Sequence, residues 1–301
     1  MTHIPVLQKE VIEYLDPKPN ENFIDCTVGG GGHASAILER TGPKGKLLGI
    51  DWDAGQIKNL KPKFKNFGKR TVLINDNYAN LKKIVSGQKF GKASGILLDL
   101  GFSSWHMEES ERGFSFSKRE PLDMRYDLQN PLTAEKIINY WSEADLEKIF
   151  REYGEEQFSK QIAKSVIDAR RVITIENTLQ LVEIIKKAVP AGYQHGKIHF
   201  ATKTFQALRI AVNGELDNLE KVLPQILEIL KTKGRIVIIS FHSLEDRIVK
   251  NFYNNQAKEG LLEILTKKPV QPGNEEITIN PRARSAKLRA AQKNEISRIS
   301  Y

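Results

Sequence analysis

Apolar residues recur along this chain in two rhythms. In the first hundred residues, short apolar runs alternate with segments of helical period. Val6, Leu7, Val11, Ile12 and Leu15 share one face, which predicts a helix over 6–15 stopped by Asp16-Pro17. Asn22-Phe23-Ile24 reads as the end of a buried strand. Residues 46–50 read as a second strand closed by Asp51, and 71–74 as a third running into Asn75-Asp76-Asn77-Tyr78. A fourth, 95–98, is closed by Asp99. Between them, 54–67 is a basic surface segment, helical in part, and 81–85 is helical. Strands alternating with helices predict a parallel sheet covered on both faces.

From about Glu108 to Lys197 the pattern turns helical throughout. Ser142-Glu143-Ala144-Asp145 has the form of a capping box, with Trp141 and Leu146 placed as its hydrophobic staple. Phe158, Ile162, Val166 and Ile167 mark a further helix. Leu181, Val182, Ile184, Ile185 and Val189 mark another, ended by Pro190. Alternation resumes near Thr202. Phe205, Leu208, Ile210 and Val212 lie on a helix, and Leu216, Leu219, Leu223, Ile226, Leu227 and Leu230 stripe a second that Gly234 ends. Residues 235–240 form a fifth strand, and 261–266 and 286–291 supply two more. The expected organisation is an α/β, Rossmann-like sheet domain built from 1–107 and 200–301. A mostly helical domain, 108–199, is inserted after the fourth strand.

Charge adds a partner class. Among 301 residues, Lys and Arg outnumber Asp and Glu by 46 to 37. Such an excess favours a polyanion, nucleic acid first, over a merely solvated basic face. Much of it lies in the tail, at Arg282, Arg284, Lys287, Arg289, Lys293 and Arg298. The single cysteine, Cys26, excludes an intramolecular disulfide and argues for a reducing compartment. It sits in an apolar strand end and reads as a small buried residue. No apolar run approaches membrane-spanning length, and Met1-Thr2-His3-Ile4-Pro5 lacks a signal peptide's regions. A cytoplasmic protein without a membrane partner is expected.

The chemistry concentrates between the first strand and the helix after it, in Asp25-Cys26-Thr27-Val28-Gly29-Gly30-Gly31-Gly32-His33. Consecutive glycines lose much backbone entropy on folding, and the usual return is close approach of backbone to a ligand at a helix N-terminus. Gly29, Gly31 and Ala34 fit the spacing of a nucleotide-binding turn, and Asp51, 22 residues after Gly29, stands where such folds set an acid against ribose hydroxyls. His33, Asp51, Tyr78 and Asp99 all fall at the strands' carboxyl ends, where open α/β sheets bind ligands.

Two cofactor classes use this arrangement, a nicotinamide dinucleotide and S-adenosylmethionine. Asp25 suits a cationic cofactor bearing an amino group and repels a pyrophosphate. Polar groups ending strands three and four, and a final strand pair, also favour a methyltransferase. In Asp99-Leu100-Gly101-Phe102, Asp99 is placed to hydrogen-bond an exocyclic amine and Phe102 to stack on an extruded base; alternatively Asp99 binds cofactor and Phe102 packs. His195 and His199 have a helical metal-ligand spacing, but Gly192 and Gly196 beside them read as loop, and no metal is expected. Ser240-Phe241-His242-Ser243-Leu244-Glu245-Asp246 lacks a hydrolase's nucleophile elbow and reads as a pocket wall, with Ser243 as a helix cap.

Taken together, seven motifs resemble the RsmH family, also called MraW. They are residues 25–33, 95–104, 111–116 (Glu-Arg-Gly-Phe-Ser-Phe), 121–125 (Pro-Leu-Asp-Met-Arg), 204–210, 240–247 and 281–285 (Pro-Arg-Ala-Arg-Ser). The resemblance implies an S-adenosylmethionine-dependent methyltransferase acting on N4 of a cytosine in the decoding region of 16S ribosomal RNA, within the small ribosomal subunit. It also implies that the inserted domain recognises substrate. By motif position Gly31, Gly32 and His33 line the methionine end of the cofactor, Asp51 binds the ribose, and Tyr78 stands near adenine. Asp99 matches the acid after strand four. Where the family often shows Ser-Ser-Pro-Gln, this chain has Ser103-Ser104-Trp105-His106, so His106 takes the cofactor-contacting glutamine's place. Arg112, Arg209, Arg282 and Arg284 are the expected phosphate contacts. An rRNA-binding assembly factor without turnover is the rival reading.

Overall fold

The computed structural model describes residues 5–295. In chain order the elements begin α1 (Gln8–Leu15), β1 (Phe23–Asp25), α2 (Gly32–Arg40), β2 (Leu47–Asp51), α3 (Ala54–Lys63), β3 (Thr71–Asn75), α4 (Leu81–Gly87) and β4 (Ala93–Asp99). A helical stretch follows: α5 (Ser104–Glu108), α6 (Ala134–Tyr140), α7 (Glu143–Glu152), α8 (Ser159–Arg170), α9 (Thr178–Ala188), α10 (Ala191–Gln194), α11 (Thr202–Asn213) and α12 (Glu215–Ile229). The chain then runs through β5 (Leu230–Ser240), α13 (Ser243–Lys258), β6 (Leu262–Ile264), α14 (Asn274–Ile279) and β7 (Lys287–Lys293). Arg298 lies outside the described residues. No helix among the described residues is long and apolar enough to cross a membrane.

The chain forms two compact units, one of 1–101 with 216–301 and one of 102–215. In the first, a seven-stranded sheet runs β3-β2-β1-β4-β5-β7-β6. The β1–β2, β1–β4, β2–β3 and β4–β5 pairs are parallel, whereas β7 lies antiparallel to both β5 and β6. Alternate residues of each strand enter opposite cores, as the period-2 geometry of a strand requires. Ile24, Leu48, Ile96, Leu98, Ile236 and Ile238 pack with Leu81, Leu219, Val222, Ile226 and Val249. Phe23, Leu47, Leu97, Val237 and Ile239 pack on the other side with Val11, Leu15, Ile37, Leu38, Ile57 and Leu60. Each fully buried aliphatic side chain contributes about 1.5–3 kcal/mol. Burial on both faces also explains why β1, β2 and β4 read as continuous apolar runs.

Two expectations shift. The stripe read as a helix through Leu230 ends at Ile229, because Leu230 pairs with Ala93 while Gly95 pairs with Arg235. The intervening residues of β5 therefore form a bulge, with Lys233 at φ 62°. Second, the insert extends beyond the expected end at 199. Phe205, Ala207, Leu208 and Val212 of α11 pack with Leu146, Phe150, Ile162 and Leu181, so the unit boundary lies at Glu215. Helical period specifies a buried face without naming the core that buries it.

In the second unit the expected capping box at Ser142 forms only in half: Ser142 caps α7, and the Asp145 carboxylate meets the Ser142 hydroxyl rather than its N–H. Ser142 Oγ accepts from the Asp145 N–H at 3.1 Å and donates to Asp145 Oδ2 at 2.7 Å. Trp141 and Leu146 both join the core beneath it. Asn177 and Gln180 cap α9 reciprocally.

Candidate active site

The carboxyl ends of β1, β2 and β4 converge on the glycine turn. The Gly29 N–H donates to Asp51 Oδ2 at 2.9 Å, and the Asp53 N–H donates to Asp51 Oδ1, also at 2.9 Å. The acid expected to bind ribose therefore also holds the turn. Thr27 bridges the other two strands: its N–H donates to Asp25 Oδ1 at 3.1 Å, and its Oγ1 accepts from the Asp99 N–H at 2.6 Å.

Gly29 and Gly31 have φ of 46° and 80°, which non-glycine residues rarely adopt. A methyl on Gly31 would overlap Leu60 and Phe64, and one on Gly32 would overlap Pro5. Those two glycines thus answer to the packing of α2, a cause the sequence reading did not give. At Gly29 an added methyl meets only the Thr27 carbonyl, at 3.7 Å. Asn75 fastens β3 beside Asp51, its amide donating to the Asp51 and Trp52 carbonyls at 3.0 Å each. Tyr78 follows in a single 3-10 turn, half-buried against the sheet core.

Polar burial marks the centre. Asp25 is 1% exposed. Burial pushes its carboxyl up to about 7; His33 and the Thr27 N–H pull it down, while Asp99 and Asp51 push it further up. His33, in the first turn of α2, is buried with Nε2 3.6 Å from Asp99 Oδ2. Neither His33 ring nitrogen, nor Asp99 Oδ1, has a hydrogen-bond partner among the described residues. Unmet buried polar atoms are uncommon in folded proteins, and these three, of six among the described residues, lie where a polar ligand is expected. Cys26 is buried as read, its thiol pushed up by burial and by Asp25.

Near β5, α13 is capped by the His242 imidazole rather than by Ser243. The Phe241 N–H donates to Glu245 Oε2 at 2.9 Å, and Glu245 is itself buried. Sequence reasoning gave Glu245 no role; its place three residues after the cap was the available signal. Part of the basic tail turns out to be sheet. Arg289 is buried in β7 and forks onto Asp246 at 2.7 and 3.3 Å. Burial alone would raise the Asp246 carboxyl, but Arg289 and Lys287 together hold it below its usual range. Lys293 Nζ donates to the Leu227 and Leu230 carbonyls. Arg282 and Arg284 remain exposed, on a 3-10 turn.

In the helical unit, Arg209 corrects an expectation. It is 8% exposed, with Nε and an Nη each 2.9 Å from a Glu215 oxygen, and it lies 4.8 Å over the Phe102 ring. A guanidinium so engaged serves the fold rather than a phosphate. Arg112 donates to the Arg125 and Tyr126 carbonyls at 3.2 Å and lies over Trp105, holding a loop. His106 Nδ1 accepts from the Ser103 N–H at 3.2 Å, capping α5, which places the proton of a neutral ring on Nε2. Its ring packs against Phe114 and Tyr126 at 5.0 and 5.1 Å. His195 and His199 lie in a loop as read, and His199 stacks on Phe116 at 4.4 Å.

Dinucleotide-binding sheets are mostly parallel. The antiparallel β7 between β5 and β6, with a buried acid ending β1, accords instead with a Rossmann-like methyltransferase. The chain belongs to the MraW methylase family, whose sequence profile matches residues 1–294. It is 45% identical to the ribosomal RNA small subunit methyltransferase H of Heliobacterium mobile, over 97% of this chain and 98% of that protein. Identity to the protein of the same name from Thermotoga neapolitana is 47%, over 96% and 95%. A solved rRNA methylase structure from Streptococcus thermophilus is 11% identical, with a TM-score of 0.45, covering 96% of this chain and 94% of that one.

Proposed function

We propose that this chain transfers the methyl group of S-adenosylmethionine to small-subunit ribosomal RNA, onto the N4 amine of a cytosine in the decoding region of the 16S molecule. The observation that carries the reading is Asp99. Its carboxylate ends β4 beside the glycine turn with Oδ1 buried and unmet among the described residues. An exocyclic amine is a poor nucleophile because its lone pair is delocalised into the ring. A carboxylate accepting its N–H hydrogen bond localises that pair on nitrogen and orients the amine for attack.

The side chains present fit the donor. Asp51 at the end of β2 suits a ribose diol, Tyr78 offers a ring to adenine, and the buried Asp25 suits an amino group. The turn at Gly31, Gly32 and His33 lines the methionine end, and by motif position His106 is the remaining cofactor contact. When bound, S-adenosylmethionine supplies a methyl group on a positively charged sulfur that keeps the bonding pair. Exposed Arg282 and Arg284 are the remaining phosphate candidates. The family membership and the relatives' names support a small-subunit substrate, and the lone buried thiol suits the reducing cytoplasm.

Incubation with labelled S-adenosylmethionine and small subunits from a strain lacking the enzyme tests this directly. N4-methylcytosine should form in the digested 16S RNA. Asp99→Ala should remove it while the protein stays folded; near-normal turnover by that variant would take Asp99 out of the chemistry. RNA binding without methylation would favour an assembly factor.

A further inference from the structure

His33 is a buried base with no hydrogen bond. It is 6% exposed, neither ring nitrogen has a hydrogen-bond partner among the described residues, and Nε2 stands 3.6 Å from Asp99 Oδ2. The chain provides for its place. Gly31 and Gly32 bring the start of α2 against Leu60, Phe64 and Pro5, and Thr27 ties the Asp99 backbone to the turn at 2.6 Å. A further acid stands beside the pair: Asp25 of β1 interacts electrostatically with both His33 and Asp99. A purely structural histidine in such a place would secure at least one nitrogen. One left open, beside a carboxylate and among acids, is suited to receiving a proton.

We infer that His33 takes the proton released by the amine, receiving it through Asp99. This rests on the reading that Asp99 meets the amine. As the amine's lone pair makes the new N–C bond, the methyl–sulfur bond breaks with its pair left on sulfur, and the nitrogen becomes cationic. One N–H bond then breaks, its electron pair stays on nitrogen, and the proton goes to an Asp99 oxygen. A carboxylate holds a proton loosely, and imidazole is the stronger base. The proton therefore passes to the Nε2 lone pair of the Nδ1–H tautomer, leaving imidazolium facing a restored Asp99 carboxylate. Closing 3.6 Å to a charge-assisted hydrogen bond requires a shift of about 0.8 Å. Asp25, whose carboxyl burial raises and His33 draws back down, balances the new charge. His33 acts through Asp99 and is a positioning residue with respect to the amine.

Two measurements test the inference. In donor-free protein with 15N-labelled imidazoles, Asp99→Asn should move the His33 ring-nitrogen resonances, because the carboxylate stands 3.6 Å from Nε2. Unchanged resonances would overturn the pairing. In single-turnover methylation of small subunits, the wild-type rate should fall at acid pH as His33 fills with protons. His33→Gln and His33→Asn should slow the reaction about tenfold or more and abolish that acid limb. Calorimetry of donor binding on the same variants, with the rates taken at saturating donor, separates a lost cofactor contact from a lost proton acceptor. A variant that keeps the limb and the rate defeats the inference while leaving the proposed activity standing. A wild-type protein that binds donor but methylates no subunit defeats the activity, and the proton route through Asp99 falls with it.

Discussion

Replacing Arg209 with methionine separates a fold-holding arginine from an RNA-binding one. The change leaves the Glu215 carboxylate buried opposite an apolar chain, 8% exposed and stripped of two 2.9 Å hydrogen bonds. Breaking a buried ion pair from one side costs about 3–5 kcal/mol, and removing the cation–π interaction with Phe102 adds about 0.5–1 kcal/mol. Glu215→Gln keeps an acceptor for the Tyr126 hydroxyl, which donates to Glu215 Oε1 at 3.2 Å, but leaves the guanidinium without its counter-charge. The double variant removes both charges and should be less destabilised than Arg209→Met alone, because no isolated charge remains buried. Urea unfolding followed by Trp105 and Trp141, the two tryptophans of the helical unit, in a Trp52→Phe background reads these differences. Additive losses, or an Arg209→Met protein as stable as wild type with weakened RNA affinity, would refute the structural assignment.

Asp25→Asn should flatten the pH dependence of stability. A native carboxyl that titrates near 7, against an ordinary 3.8, keeps its proton where the unfolded chain has lost it. Folding stability therefore falls as pH rises from about 4 to 7, by about 4 kcal/mol at most, and the variant should exceed wild type at pH 8 but not at pH 4 in denaturant midpoints. Asp51→Ala should lower S-adenosylmethionine affinity at least about tenfold by calorimetry, since the Gly29 and Asp53 N–H groups lose their acceptor with it; Asp51→Asn, keeping one acceptor, should fall between. Arg282→Ala with Arg284→Ala should weaken RNA binding across sequences and reduce the salt slope by about one for each phosphate no longer neutralised; an unchanged slope would exclude both.

The order of strands and helices, the glycine turn and the acids ending β2 and β4 were legible from the chain alone. Each is encoded locally, by runs buried on both faces, by helical period and by residues that stop it. The N-cap at Ser142 was legible for the same reason, since the N–H it accepts from lies three residues on.

Other features depended on partners distant in sequence. Arg209, Arg282, Arg284 and Arg289 look alike as letters, yet two are buried against carboxylates and two are exposed. A charge carries no local sign of which acid the fold will bring to it. The antiparallel seat of β7 between β5 and β6, and the allegiance of α11 to the helical core, were likewise settled by long-range pairing. So was the approach of His33 to Asp99, 66 positions apart along the chain. Local patterning determined which segments form strands and helices and where polar groups interrupt them. Tertiary structure alone decided which of those groups lost water, because desolvation depends on the neighbours that the rest of the chain supplies.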